Sequence, residues 1–136
     1  MEKISVSDLS IGDWVCAEQL CGVHNEPRLT PPMKVVGLGE SWVNLEIDPE
    51  QGDPFEFEPS EIRGVPITLE ILEKNGVALA EDYDECIALY TCPAFSVVKY
   101  GNSYTFEVPQ ARVRVEHVHE LQHAIRLARI KKEITL

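Results

Sequence analysis

Trp42-Val43-Asn44-Leu45-Glu46-Ile47 alternates strictly: Trp42, Asn44 and Glu46 share one face of an extended chain, and Val43, Leu45 and Ile47 share the other. A period of two marks a half-buried strand, and the same pattern recurs on both sides. Upstream, Trp14-Val15-Cys16-Ala17 follows the Ile11-Gly12-Asp13 turn, and Met33 to Leu38 is a second apolar run ended by Gly39. Downstream, Pro49, Gly52 and Pro54 break the chain before Phe55-Glu56-Phe57-Glu58 alternates again. Short strands at this turn spacing, with no helix between them, predict a small, strongly bent SH3-like β-barrel over residues 1–64. Trp14 and Trp42 are expected to line its core; the alternative is an exposed aromatic groove that binds a peptide.

Residues 65–136 follow a different pattern. Thr68 suits an N-cap, Leu69, Ile71 and Leu72 supply an apolar stripe, and Asn75-Gly76 is a C-terminal stop, which predicts a helix over 68–75. Strands follow over about 86–115: Cys86 to Tyr90, Phe95 to Tyr100, then a hairpin turned at Gly101-Asn102 into Tyr104 to Val108, and Arg112 to Val115. From about 117 to 132, Val118, Leu121, Ala124, Ile125 and Ala128 fall within one arc of about 120° at 100° per residue. That segment is read as an amphipathic helix packed on the sheet. The expected fold class is α+β, with modules 1–64 and 65–136 packed as one unit.

The 136 residues carry a net charge of −11. Residues 1–111 hold 20 acids and 6 bases, whereas residues 112–136 hold 6 bases (Arg112, Arg114, Arg126, Arg129, Lys131, Lys132) and 3 acids. The acidic bulk repels phosphate backbones, so no direct nucleic-acid binding is expected. The basic end reads as a solvated helix face, or else as a dock for an acidic partner or for the chain's own acidic half. No apolar run approaches the ~20 residues of a membrane span, and Met1-Glu2-Lys3-Ile4-Ser5 lacks the layout of a signal peptide. A cytoplasmic protein without membrane contact is therefore expected. Cys16, Cys21, Cys86 and Cys92 form no Cys-x-x-Cys pair and read as small apolar fillers at strand positions. Glu81-Asp82-Tyr83-Asp84-Glu85 reads as a solvated acidic loop, because it lacks the ligand ladder of a calcium loop.

One stretch resembles a catalytic signature. His119-Glu120-Leu121-Gln122-His123 matches H-E-x-x-H, in which two imidazoles on one helix face hold zinc and the glutamate acts as base on a zinc-bound water. The downstream third ligand is missing: the metzincin pattern requires Gly at 126 and His at 129, where Arg126 and Arg129 stand. Glu133 would lie about 15 Å along a continued helix, and nothing in the spacing selects His24 or a thiolate instead. Both histidines project away from the apolar stripe, which fits a catalytic helix and a surface pair alike; with no third ligand they read as surface residues, or as a pair that binds metal adventitiously. No catalytic residue, cofactor or metal is assigned, with His119 and His123 kept as candidate ligands and Glu120 as candidate base.

Three segments resemble a family of small, uncharacterised bacterial proteins carried by prophages and conjugative elements. Leu9-Ser10-Ile11-Gly12-Asp13-Trp14-Val15 is similar to the family's L-R-I-G-N-Y-V opening. Val65-Pro66-Ile67-Thr68-Leu69-Glu70-Ile71-Leu72-Glu73-Lys74-Asn75-Gly76 is similar to I-P-L-T-E-E-W-L-L-K-F-G, and Val118-His119-Glu120-Leu121-Gln122 to V-H-E/Q-L-Q. His123 stands where the family carries Asn, so one substitution in a helix start generates the H-E-x-x-H match. Ala124-Ile125-Arg126 replaces the family's aromatic segment. The resemblance implies no assigned activity.

The leading expectation is a non-enzymatic accessory or interaction protein of a bacterial mobile element, acting on an unidentified protein partner. One alternative is a small zinc hydrolase built on His119, Glu120 and His123. Another is a DNA mimic, in which the acids of residues 46–61 occupy a nucleic-acid-binding protein.

Overall fold

The computed structural model describes residues 4–47, 52–83 and 86–136, with only the backbone of Cys21. Asp48, Pro49 and Glu50 of the acidic stretch, Asp84 and Glu85 of the acidic loop, and the Cys21 side chain lie outside the described residues. The chain divides into two compact units, Met1–Val65 and Pro66–Leu136. Each is built on an antiparallel sheet. Among the described residues no helix is long and apolar enough to cross a membrane.

The first unit contains β1 (Trp14–Cys21), β2 (Glu26–Leu29), β3 (Met33–Leu38), β4 (Val43–Glu46), β5 (Phe55–Phe57), a 3-10 turn over Pro59–Glu61, and β6 (Ile62–Gly64). Its sheet runs β2-β1-β3-β4-β5, and β6 returns to pair with β1, which curls the layer into a half-barrel. Cross-strand partners Val15 and Met33, Val35 and Leu45, and Val43 and Phe57 turn apolar side chains to one face. With Leu9, Ala17 and Ile62 they form the buried core. At ~1.5–3 kcal/mol per buried aliphatic side chain, this packing rather than strand propensity holds such short strands.

The alternation of residues 42–47 places Val43 and Leu45 correctly but not Ile47, which is 52% exposed beyond the end of β4. Trp14 and Trp42 are half-buried on the sheet's other face, not in the core. Gly37 and Gly39 make a floor without side chains on which the Trp42 indole lies; a Cβ on Gly39 would sit 2.4 Å from the ring. The Lys34 ammonium stands 5.3 Å from the centroid of the Trp14 ring. Of the described cysteines only Cys16 is the expected buried filler. Cys86 is exposed and Cys92 is partly exposed.

The second unit contains α1 (Leu69–Lys74), β7 (Ala78–Asp82), β8 (Ile87–Thr91), β9 (Ser96–Tyr100), β10 (Ser103–Val108), β11 (Ala111–Val115) and α2 (Val118–Leu127). Its five strands form a meander in the order β11-β10-β9-β8-β7. Tyr90, Val97 and Phe106 stand in one cross-strand row of buried residues, and the Phe95 ring lies 5.2 Å from Phe106. Thr68 Oγ1 accepts the Ile71 N–H at 3.2 Å, the cap its sequence position suggests. Gly76, at φ +78°, ends α1 in the left-handed conformation that glycine adopts without strain. β7 has no counterpart in the sequence reading, and Glu81 and Asp82 belong to this strand rather than to a loop.

α2 stops at Leu127, about five residues short of the expected end. The Arg129 N–H donates to the Arg126 carbonyl and the Ile130 N–H to the Ile125 carbonyl, a complete Schellman closure. Such a closure needs a left-handed residue, and Arg129 fills that place at φ +60°. An L side chain there costs about 1–2 kcal/mol relative to an unstrained conformation. Arg129→Gly is therefore expected to stabilise the chain by about 1 kcal/mol in urea unfolding.

Candidate functional site

Val118 follows the N-cap His117, and Glu120 reaches back over the first turn of α2. Its Oε1 accepts the backbone N–H groups of Glu116 at 3.3 Å and His117 at 3.0 Å, and the His117 Nδ1 at 2.8 Å. Burial pushes the Glu120 carboxyl up, but the hydrogen bonds from the His117 ring and the two backbone amides outweigh it, and its pKa is lowered. A general base working near neutral pH needs the opposite shift. Glu120 is a helix cap. The folded pKa lies below the ordinary value of 4.5, so this contribution is present above that value and is lost as pH falls through the folded one. Glu120→Gln is expected to cost about 1 kcal/mol at neutral pH. The gap from wild type should narrow as pH falls below 4.5, followed by far-UV circular dichroism in urea.

The histidines do not lie on the surface as expected. His119 is 4% exposed, and His123 is half-buried. The helical wheel puts them opposite the apolar stripe, and there the imidazoles lie against one another. His117 stacks on His119 with centroids 5.7 Å apart, and His123 meets His119 edge-on at 5.8 Å. Among the described residues no group of three or more His, Cys, Asp or Glu side chains is arranged to hold a metal ion. The zinc reading thus has two imidazoles in contact and a glutamate committed to the helix start.

The other distinctive feature is a β-arm on the first unit. Residues 14–17 of β1 pair with β3 or β6, whereas Glu18 to Cys21 pair only with β2. The two strands join through Gly22-Val23-His24-Asn25, where the Asn25 N–H donates to the Gly22 carbonyl at 3.2 Å. Every described side chain from residue 19 to residue 29 is exposed. Three of them are large and apolar: Leu20 at 68%, Val23 at 95% and Leu29 at 49%.

Register sorts the arm into two faces. Leu20 opposes Pro27 and Glu18 opposes Leu29 on one side; Gln19 opposes Arg28 on the other. The Thr30 N–H donates to the Ala17 carbonyl at 2.8 Å. Ladder alternation then makes Leu20 and Pro27 a non-hydrogen-bonded pair, with the missing N–H of Pro27 on the outer edge. That edge is blunted against strand addition, as proline on edge strands does. Along β2 the arm therefore offers its apolar face rather than its edge.

Its root is fixed. The Arg63 guanidinium, on a residue 9% exposed, donates from Nε to the Glu18 carboxylate at 3.0 Å and from one terminal nitrogen to the Ser60 and Ile62 carbonyls at 2.7 and 2.9 Å. The Gln19 amide donates to Glu61 at 3.2 Å. A two-stranded ribbon is marginally stable alone in water, so the anchorage presents it as a held element. Sequence reasoning missed this site because no motif marks it. The only signal is that Leu20, Val23 and Leu29 interrupt an otherwise polar stretch.

Comparison with known protein families, with curated proteins and with solved structures finds no match to this chain.

Proposed function

We propose that the protein is a non-enzymatic interaction protein that engages a protein partner through the apolar face of the β1–β2 arm, in the mobile-element setting that the sequence resemblance implies. The observation that carries this is the exposure of Leu20, Val23 and Leu29 on a ribbon anchored by a buried arginine. Apolar side chains displayed together on a rigid support mark contact surfaces. The SH3-like reading of the first unit supports the same conclusion. Its supports are the 3-10 turn before the last strand and the pairing of that strand with β1. In such a barrel the arm is a long excursion between the first two barrel strands, where variation is tolerated and recognition is placed.

The test is partner capture from an extract of the source cells by the whole chain. Leu20→Asp and Val23→Asp, folded by circular dichroism, are expected to lose the proteins wild type retains. Leu127→Asp, an exposed change in the second unit, should retain them. Equal capture by all three variants would refute the proposal.

A further inference from the structure

We infer that the apolar face of the arm is covered by a second copy of this chain, the two arms stacking face to face about a two-fold axis. The inference rests on reading the arm as a contact element and names its occupant. The first argument is charge. No Lys, Arg or His occurs between Val35 and Ile62, while Glu40, Glu46, Asp48, Glu50, Asp53, Glu56, Glu58 and Glu61 do. A like-to-like contact across that part of the unit would set carboxylate against carboxylate.

The arm is different. From Gln19 to Leu29 it carries one carboxylate, Glu26, one guanidinium, Arg28, and one imidazole, His24 at the turn. The only ionisable side chain on its apolar face is Glu18, already held by Arg63 at 3.0 Å. In an isologous contact each group meets its own symmetry mate or neighbour, so local neutrality is the condition for self-association. In the first unit the arm meets it.

The second argument is shape. Pro27 blunts the outer edge of β2, which disfavours lengthening the sheet through that strand and favours burial through the face. Two ribbons of identical right-handed twist stack in the aligned manner of sheet sandwiches, about 10 Å apart. Leu20, Pro27 and Leu29 of each copy would then be enclosed between the layers, with Val23 at the tip. Stacking also turns two marginal two-stranded ribbons into a four-stranded unit with an apolar interior.

Sedimentation equilibrium of the full chain is the test. A dimer is expected within the range up to about 1 mM. Each copy carries −11, so the dimer should tighten as salt rises from about 0.05 to 0.5 M and long-range repulsion is screened. Leu20→Glu is expected to weaken it by about 30-fold or more, by burying a carboxylate in the interface. Leu127→Glu should leave it unchanged.

Amide hydrogen exchange on wild type needs no variant. Protection of residues 18–29 should rise with protein concentration. A chain that stays monomeric throughout, or a dimer indifferent to Leu20→Glu and without concentration-dependent protection of the arm, overturns the inference. A monomer that still loses its captured proteins in Leu20→Asp would leave the interaction reading standing and remove only the second copy.

Discussion

Replacing Arg63 by alanine is expected to destabilise the first unit by about 3 kcal/mol and to loosen the root of the arm. The guanidinium donates three hydrogen bonds, to Glu18, Ser60 and Ile62. Removing it leaves two carbonyls and a carboxylate short of a partner, and such losses cost about 1–3 kcal/mol per enclosed group. Glu18 is partly exposed, at 29% of its side chain. Water therefore recovers part of its share, and the total stays below the simple sum.

Both tryptophans belong to the first unit, so urea unfolding followed by indole fluorescence reports it directly. Arg63→Lys should recover less than half of the loss, because an ammonium cannot reproduce the planar fork. A second readout is the Cys16 thiol, which donates to the Arg63 carbonyl at 3.6 Å. Burial pushes its pKa up, with Glu18 adding to and Arg63 opposing that rise. The thiol should react slowly with a disulfide reagent in wild type and quickly once Arg63→Ala lets the unit open.

Asn75→Ala is expected to cost a similar amount in the second unit, through a different device. The Asn75 side chain is a clasp for the C-terminal tail. Nδ2 donates to the Ile71 and Thr135 carbonyls, each at 2.8 Å, and Oδ1 accepts the Thr135 N–H at 2.8 Å. The residue is 8% exposed, and the adjacent Ile134 is 3% exposed. Losing three hydrogen bonds and the burial of one isoleucine amounts to about 3 kcal/mol. If the loss falls on local opening of the tail, tryptic cleavage after Lys131 and Lys132 should quicken by about 100-fold. Asn75→Asp should be at least as damaging, since a carboxylate would face two carbonyls and could donate to neither.

These two residues show where sequence reading stops. Asn75 was legible as a helix stop, because Asn-Gly ends helices through local conformation alone. Its grip on Thr135, 60 residues away, depends on a tertiary contact. Val43 and Leu45 were legible because alternation is local, and Thr68 because capping is. Trp14 and Trp42 were misplaced because large rings are expected inside. Gly37 and Gly39 supply a floor outside, and only the folded hairpin shows it.

β7 was invisible for a related reason: every residue of this edge strand is exposed, so no period exists to read. β2 carries a proline, which argues against a strand unless the missing N–H faces outward, as ladder alternation places that of Pro27. The early end of α2 had no glycine or proline to announce it, since Arg129 takes the left-handed position. Of the candidate site residues, the spacing of His119 and His123 is legible, whereas the bonds that make Glu120 a cap show only in the fold. The arm leaves no motif in the sequence, only three apolar residues in a polar stretch, because its distinction lies in exposure.

The most direct measurement uses a shortened arm. Gln19 and Arg28 are register partners, and alternation makes them a hydrogen-bonded pair, so an Asn-Gly turn replacing residues 20–27 should close the hairpin there. This removes Leu20, Val23 and Pro27 and leaves the other strands of the half-barrel intact. The expected result is an unfolding free energy by tryptophan fluorescence within about 0.5 kcal/mol of wild type, together with loss of every captured protein. A folded, equally stable chain that still captures the same proteins would contradict the assignment of the arm as the contact surface.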